Sequence, residues 1–151
     1  FGVEDSLVST TGLIAGISVG VSDKRFVLLA GVVAVAIEAV SMGAGEYLSD
    51  DAVKDLEKIK RNRDKPLVSG ILMLFSYALA GIIPLAPAVL FPYPSSLYLS
   101  ITFALCGLFF LGFLKGKILH TSPLKGGFKV LVVGGLATIL GLFIGSQFKI
   151  S

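Results

Sequence analysis

The chain alternates long apolar runs with short polar breaks. A helix needs about 20 mainly apolar residues to cross a bilayer. Five runs approach or reach that length: 6–21, 26–48, 67–91, 97–114 and 128–148. The pattern predicts an all-α integral membrane fold, with five transmembrane helices in a single domain over 1–151. The first run is the shortest and carries Ser6, Ser9, Thr10, Thr11 and Ser18. It is expected to face other helices rather than lipid. It is too polar for a cleaved signal peptide and lacks a basic leader. Because the chain begins at Phe1 rather than methionine, further N-terminal sequence is expected to precede it.

The breaks are polar in different ways. The connection 49–65 alternates charges through Asp50, Asp51, Lys54, Asp55, Glu57, Lys58, Lys60 and Arg61. Val53, Leu56 and Ile59 recur every three residues within it. That spacing predicts a solvated helical extension of the second run, supported by one-turn pairs such as Glu57 with Arg61. The third run ends in Pro84, Pro87, Pro92 and Pro94. Pro84 and Pro87 remove backbone donors and are expected to kink or break the helix end.

Composition strengthens the membrane reading. Hydrophobic residues make up 54% of the chain and charged residues 15%, with mean hydropathy +0.89. Soluble domains carry about a quarter charged residues, so a soluble fold is excluded. The net charge of +3 is modest, and the basic residues sit in the connections, so no nucleic-acid partner is expected. The one cysteine, Cys106, excludes an internal disulfide framework. It is expected to be a small buried hydrophobe.

Lysine and arginine placement sets the orientation. Lys54, Lys58, Lys60, Arg61, Arg63 and Lys65, with Lys115, Lys117, Lys125 and Lys129, fall on the side of the N-terminus. Only Lys24, Arg25 and Lys149 fall on the other. The N-terminus is therefore expected to be cytoplasmic.

Small residues recur every four positions at Gly12, Gly16 and Gly20, and again at Ala137, Gly141 and Gly145. Such stripes let helix backbones approach closely. The first stripe is expected to pack two first spans together in a dimer, although spacing alone fits contact within one chain equally.

Charges inside a membrane point to function. Glu38, Met42 and Glu46 follow one another at four-residue intervals in the second run, on one helix face. Asp5 stands at the entrance of the first run beside Glu4. Two carboxylates with a thioether suit a first-row transition ion better than Mg²⁺ or Ca²⁺. Glu38 lies more than about 12 Å from either end of its span, and no basic residue within the spans can pair with it. An ionised, unpaired carboxylate there costs several kcal/mol. Glu38 is therefore expected to hold a proton until metal arrives beside it at Met42. No enzyme signature is present. Gly12-Leu13-Ile14-Ala15-Gly16 lacks the Lys-Ser/Thr ending of a phosphate loop, and the one histidine, His120, gives no local support to a triad.

Two stretches carry a family resemblance. Glu4-Asp5-Ser6-Leu7-Val8-Ser9-Thr10-Thr11-Gly12-Leu13 resembles the first-span signature of the vacuolar iron transporter family. Ser41-Met42-Gly43-Ala44-Gly45-Glu46-Tyr47-Leu48-Ser49 resembles its second-span signature, and Pro84-Leu85-Ala86-Pro87 its proline motif. The resemblance implies a homodimer that moves Fe²⁺ or Mn²⁺ out of the cytoplasm in exchange for protons. The ions would be substrates, with no resident cofactor. Asp5 and Met42 would lie in a path between the subunits, and Glu46 matches the signature glutamate. Glu38 has no counterpart in the motif, and Ser6 stands where glycine is common. The connection 49–65 is too short for the glutamate-rich cytoplasmic domain of classical members. The chain is similar to the short form of nodulin-like and prokaryotic members, which implies a prokaryotic cell membrane rather than a vacuolar one.

Overall fold

The computed structural model describes residues 1–21, 23–56 and 65–149. They form five α-helices and no strand: α1 (Gly2–Val21), α2 (Lys24–Leu56), α3 (Pro66–Leu90), α4 (Ser95–Ile118) and α5 (Pro123–Gln147). α2 to α5 are each long and apolar enough to cross a membrane. α2 is 33 residues long, about 50 Å at 1.5 Å per residue. A hydrocarbon core is about 30 Å thick, so the charged end of α2 projects beyond it, as the connection's pattern predicts. The expected Glu57–Arg61 pair lies outside the described residues.

α1 is the exception, and its place in the bundle explains why. It touches all four other helices. Ser6, Thr10, Thr11 and Ser18, which lower its hydropathy, are buried against them rather than turned to lipid. Buried hydroxyls need partners. Thr11 Oγ1 donates to Leu7 O of its own helix, and Ser6 Oγ donates to Tyr77 O of α3 at 2.8 Å. Two apolar clusters pack around α1. Leu7 meets Ala80, Ala104, Leu108 and Val130; Ile14 meets Val27, Val35, Leu85 and Ala88.

The outside of the bundle is apolar. Leu29 is 65% exposed, Ile37 64%, Leu79 64%, Phe110 60% and Leu136 63%. Water does not tolerate so continuous an apolar surface; a bilayer requires it. Cys106 belongs to this outer surface, which corrects the expectation of a buried position.

The stripe of Gly12, Gly16 and Gly20, half-buried at Gly12 and Gly16, has a neighbour within the chain. It packs on α5 of the same chain, against the matching stripe. A Cβ added at Gly12 would meet Ala137 O at 3.1 Å, at Gly16 Gly141 O at 2.8 Å, and at Gly20 Gly145 O at 3.4 Å. Two small stripes on one chain satisfy each other first, because closure within a chain needs no second molecule. Of the kink or break expected at Pro84 and Pro87, the break does not occur. The helix continues through Pro84 and Pro87 to Leu90. Both rings are fully buried, so packing against neighbours compensates for the lost backbone bonds. At that end Lys24 Nζ donates to Val89 O at 2.7 Å, a cation on the negative end of a helix.

Candidate functional site

Glu38, Met42 and Glu46 lie on the continuous helix α2 and are each half-buried. α1 runs antiparallel beside it, so the two helices pair like rungs. The rung that sets the register is Glu38 with Ser9, whose Oγ donates to Oε2 at 3.1 Å. One turn along each helix, about 6 Å, brings Asp5 of α1 level with Met42 of α2. One further turn brings Glu46 to the start of α1, where it shares a cavity of about 300 Å³ with Phe1, Gly2 and Met73. The predicted residues therefore form a seam of three levels along α1 and α2. Glu46 and Glu38 line different cavities, and the described residues hold no cluster of three His, Cys, Asp or Glu side chains able to grip a metal.

Glu38 has more company than the sequence suggests. Tyr77 of α3 donates its hydroxyl to the same Oε2, and the Ser9 and Tyr77 hydroxyls touch each other. Both partners are neutral hydroxyls, and three helices meet at one carboxyl oxygen. These bonds offset part of the cost of burying it. Tyr77 was missed from the sequence, although a signal exists. Tyrosine favours membrane interfaces, yet Tyr77 lies inside an apolar run, where its hydroxyl must find a partner. Tyr77→Phe should lower stability by about 1–3 kcal/mol, read as a lower melting temperature in detergent. An unchanged melting temperature would mean that the contact contributes nothing.

On its other side Glu38 reaches a groove of about 530 Å³ between α1 and α5. Ser9 and Glu38 supply polar groups to walls that are otherwise apolar, made of glycine, aliphatic side chains such as Leu13, Ile17 and Leu140, and Phe148. Asp5 stands in the first turn of α1, half-buried, with the charges of Glu38 and Glu4 both acting on it. Glu4 itself is drawn away toward Lys115, at 3.5 Å. Like-signed carboxylates held near one another under partial burial repel, and a cation between them relieves that repulsion.

Apolar helices around a line of carboxylates and a thioether define a multi-pass membrane protein. Comparison with known proteins narrows the class. The sequence model described as the VIT family matches residues 1–65 and 59–146, and the chain belongs to that family. The two matched pieces meet in the connection between α2 and α3. Vacuolar iron transporter homolog 4 of Arabidopsis thaliana is 30% identical over 149 residues, covering 90% of this chain and 75% of the relative. Vacuolar iron transporter 2 of Oryza sativa subsp. japonica is 26% identical over 198 residues, covering 91% and 80%. That alignment is longer than the 151 residues of this chain, so the rice protein carries sequence that this one lacks.

Proposed function

We propose that this protein is a transporter, not an enzyme, that exports Fe²⁺ or Mn²⁺ from the cytoplasm in exchange for protons. The observation that carries the reading is the bond between Glu38 and Ser9 of α1, with Asp5 and Met42 each one turn along its own helix and Glu46 one turn beyond Met42, inside an otherwise apolar bundle. The relatives are named as iron transporters, and iron fits the donor chemistry. A carboxylate and a thioether together favour first-row transition ions.

Glu46 and Asp5 receive the ion at the lysine-rich, cytoplasmic end. Met42 discriminates against hard ions. Glu38, one turn deeper, carries the exchanged proton, with Ser9 and Tyr77 holding its carboxyl in place. One chain offers Asp5 and Met42 once each. Two copies meeting along the α1 side would offer two of each, and we place the path at such a homodimer interface.

The test is uptake of Fe²⁺ and Mn²⁺ into proteoliposomes, with and without a pH gradient. Gradient-stimulated flux supports antiport. Flux indifferent to the gradient identifies a passive channel, and no flux above empty liposomes identifies a membrane scaffold. Glu38→Gln preserves shape and hydrogen bonding but cannot exchange a proton. Metal-dependent proton release should be lost, and the gradient should no longer drive metal. Unchanged coupling in Glu38→Gln would transfer the proton role to Asp5 or Glu46.

A further inference from the structure

A second cavity, of about 280 Å³, lies where the end of α4 and the start of α5 meet the first turn of α1. It is separate from the seam of Asp5, Met42 and Glu38. Its polar groups are Glu4, Lys115, Thr121 and Lys129. α4 and α5 approach backbone to backbone beside it: a Cβ at Gly126 would meet Gly112 O at 2.5 Å, and one at Gly116 would meet Pro123 Cα at 2.8 Å.

We propose that this cavity binds the phosphate headgroup of an anionic phospholipid. Two ammonium groups face one carboxylate, which leaves an excess positive charge. The Lys115–Glu4 pair is long and exposed, with Lys115 62% accessible. Such pairs are weak, so Lys115 remains free to turn to an anion. Thr121 adds a hydroxyl, although it also donates to Gly116 O at 3.3 Å.

The apolar surroundings select a lipid over free phosphate. Val130 and Val133 form the wall on the membrane side. Beyond them Val133, Leu136 and Leu140 continue along α5 as an exposed apolar strip. An acyl chain tethered to the bound phosphate would lie on that strip, whereas inorganic phosphate makes no use of it. Lysine pockets between transmembrane helices are suited to anionic headgroups. Lys117 and Lys125 stand nearby, exposed, and do not line the cavity. They provide an internal control for general attraction to a negative surface.

The experiment uses the full chain purified in neutral detergent, with bound lipid counted by native mass spectrometry and stability read by thermal melting. The probes are phosphatidylglycerol, phosphatidylcholine and inorganic phosphate. Phosphatidylglycerol should bind and raise the melting temperature, and the other two should not. In Lys115→Gln/Lys129→Gln its affinity should fall about 10-fold or more. Lys117→Gln/Lys125→Gln should keep the affinity of the parent. Val133→Phe, which fills the wall without changing charge, should also weaken binding. Equal losses in the two lysine pairs would reduce the effect to surface charge and overturn the site. Inorganic phosphate acting as well as the lipid would overturn the lipid assignment. Because every readout is binding, these outcomes hold whether or not the protein transports metal.

Discussion

Met42→Ala and Asp5→Ala are each expected to cut Fe²⁺ and Mn²⁺ flux by about 10-fold or more, with little change in melting temperature. Removing a group that merely supports a metal ligand costs about 10- to 100-fold, and removing a ligand should cost no less. Stability should hold because both side chains are only half-buried and neither makes a hydrogen bond on which the bundle depends. The two losses should also differ in kind. Met42→Ala should admit harder ions, because the thioether is the group that Mg²⁺ and Ca²⁺ do not favour. Asp5→Ala should weaken capture of all divalent ions alike. Flux at the parent level in both variants would remove the seam from the transport path, whatever the family relation.

Gly16→Leu should do the opposite, damaging the fold rather than the selectivity. Its Cβ alone would stand 2.8 Å from Gly141 O, and backbone cannot step aside as a flexible side chain can. Overpacking of this kind costs about 1–3 kcal/mol and sometimes more. The upper part of that range is expected where helix meets helix through backbone. Gly141→Leu should match it from the other side of the contact. Gly135→Leu is the control, because no heavy atom lies within 4 Å of the Cβ added there. Melting curves in detergent should separate the first two variants from the third. Equal stability in all three would mean that α1 and α5 are held apart in the membrane, leaving the first stripe free for another chain.

These two results probe different kinds of information. The hydrophobic pattern was enough for five helices, for the membrane class and for the charged extension of α2. Hydropathy is a local property, and a bilayer rewards it run by run. The face shared by Glu38, Met42 and Glu46 was equally legible, because helical period alone puts residues four apart on one side. The signatures around Asp5 and Met42 were enough to suggest the family before any contact was known.

Only the tertiary structure decided what stands opposite each face. Periodicity says that Gly12, Gly16 and Gly20 form a smooth ridge, but not that Ala137, Gly141 and Gly145 fill it. It marks Glu38 as costly to bury, but cannot bring in Ser9 and Tyr77, 29 and 39 positions away. It flags Pro84 and Pro87 as breakers, yet both sit in an unbroken helix because neighbours enclose them. It makes α1 the poorest span by composition, although that helix is the centre of the bundle. The physical reason is common to all four cases. The apolar free energy of a residue depends on its own surface, whereas close approach, hydrogen bonding and enclosure depend on a partner whose distance along the chain carries no local signal.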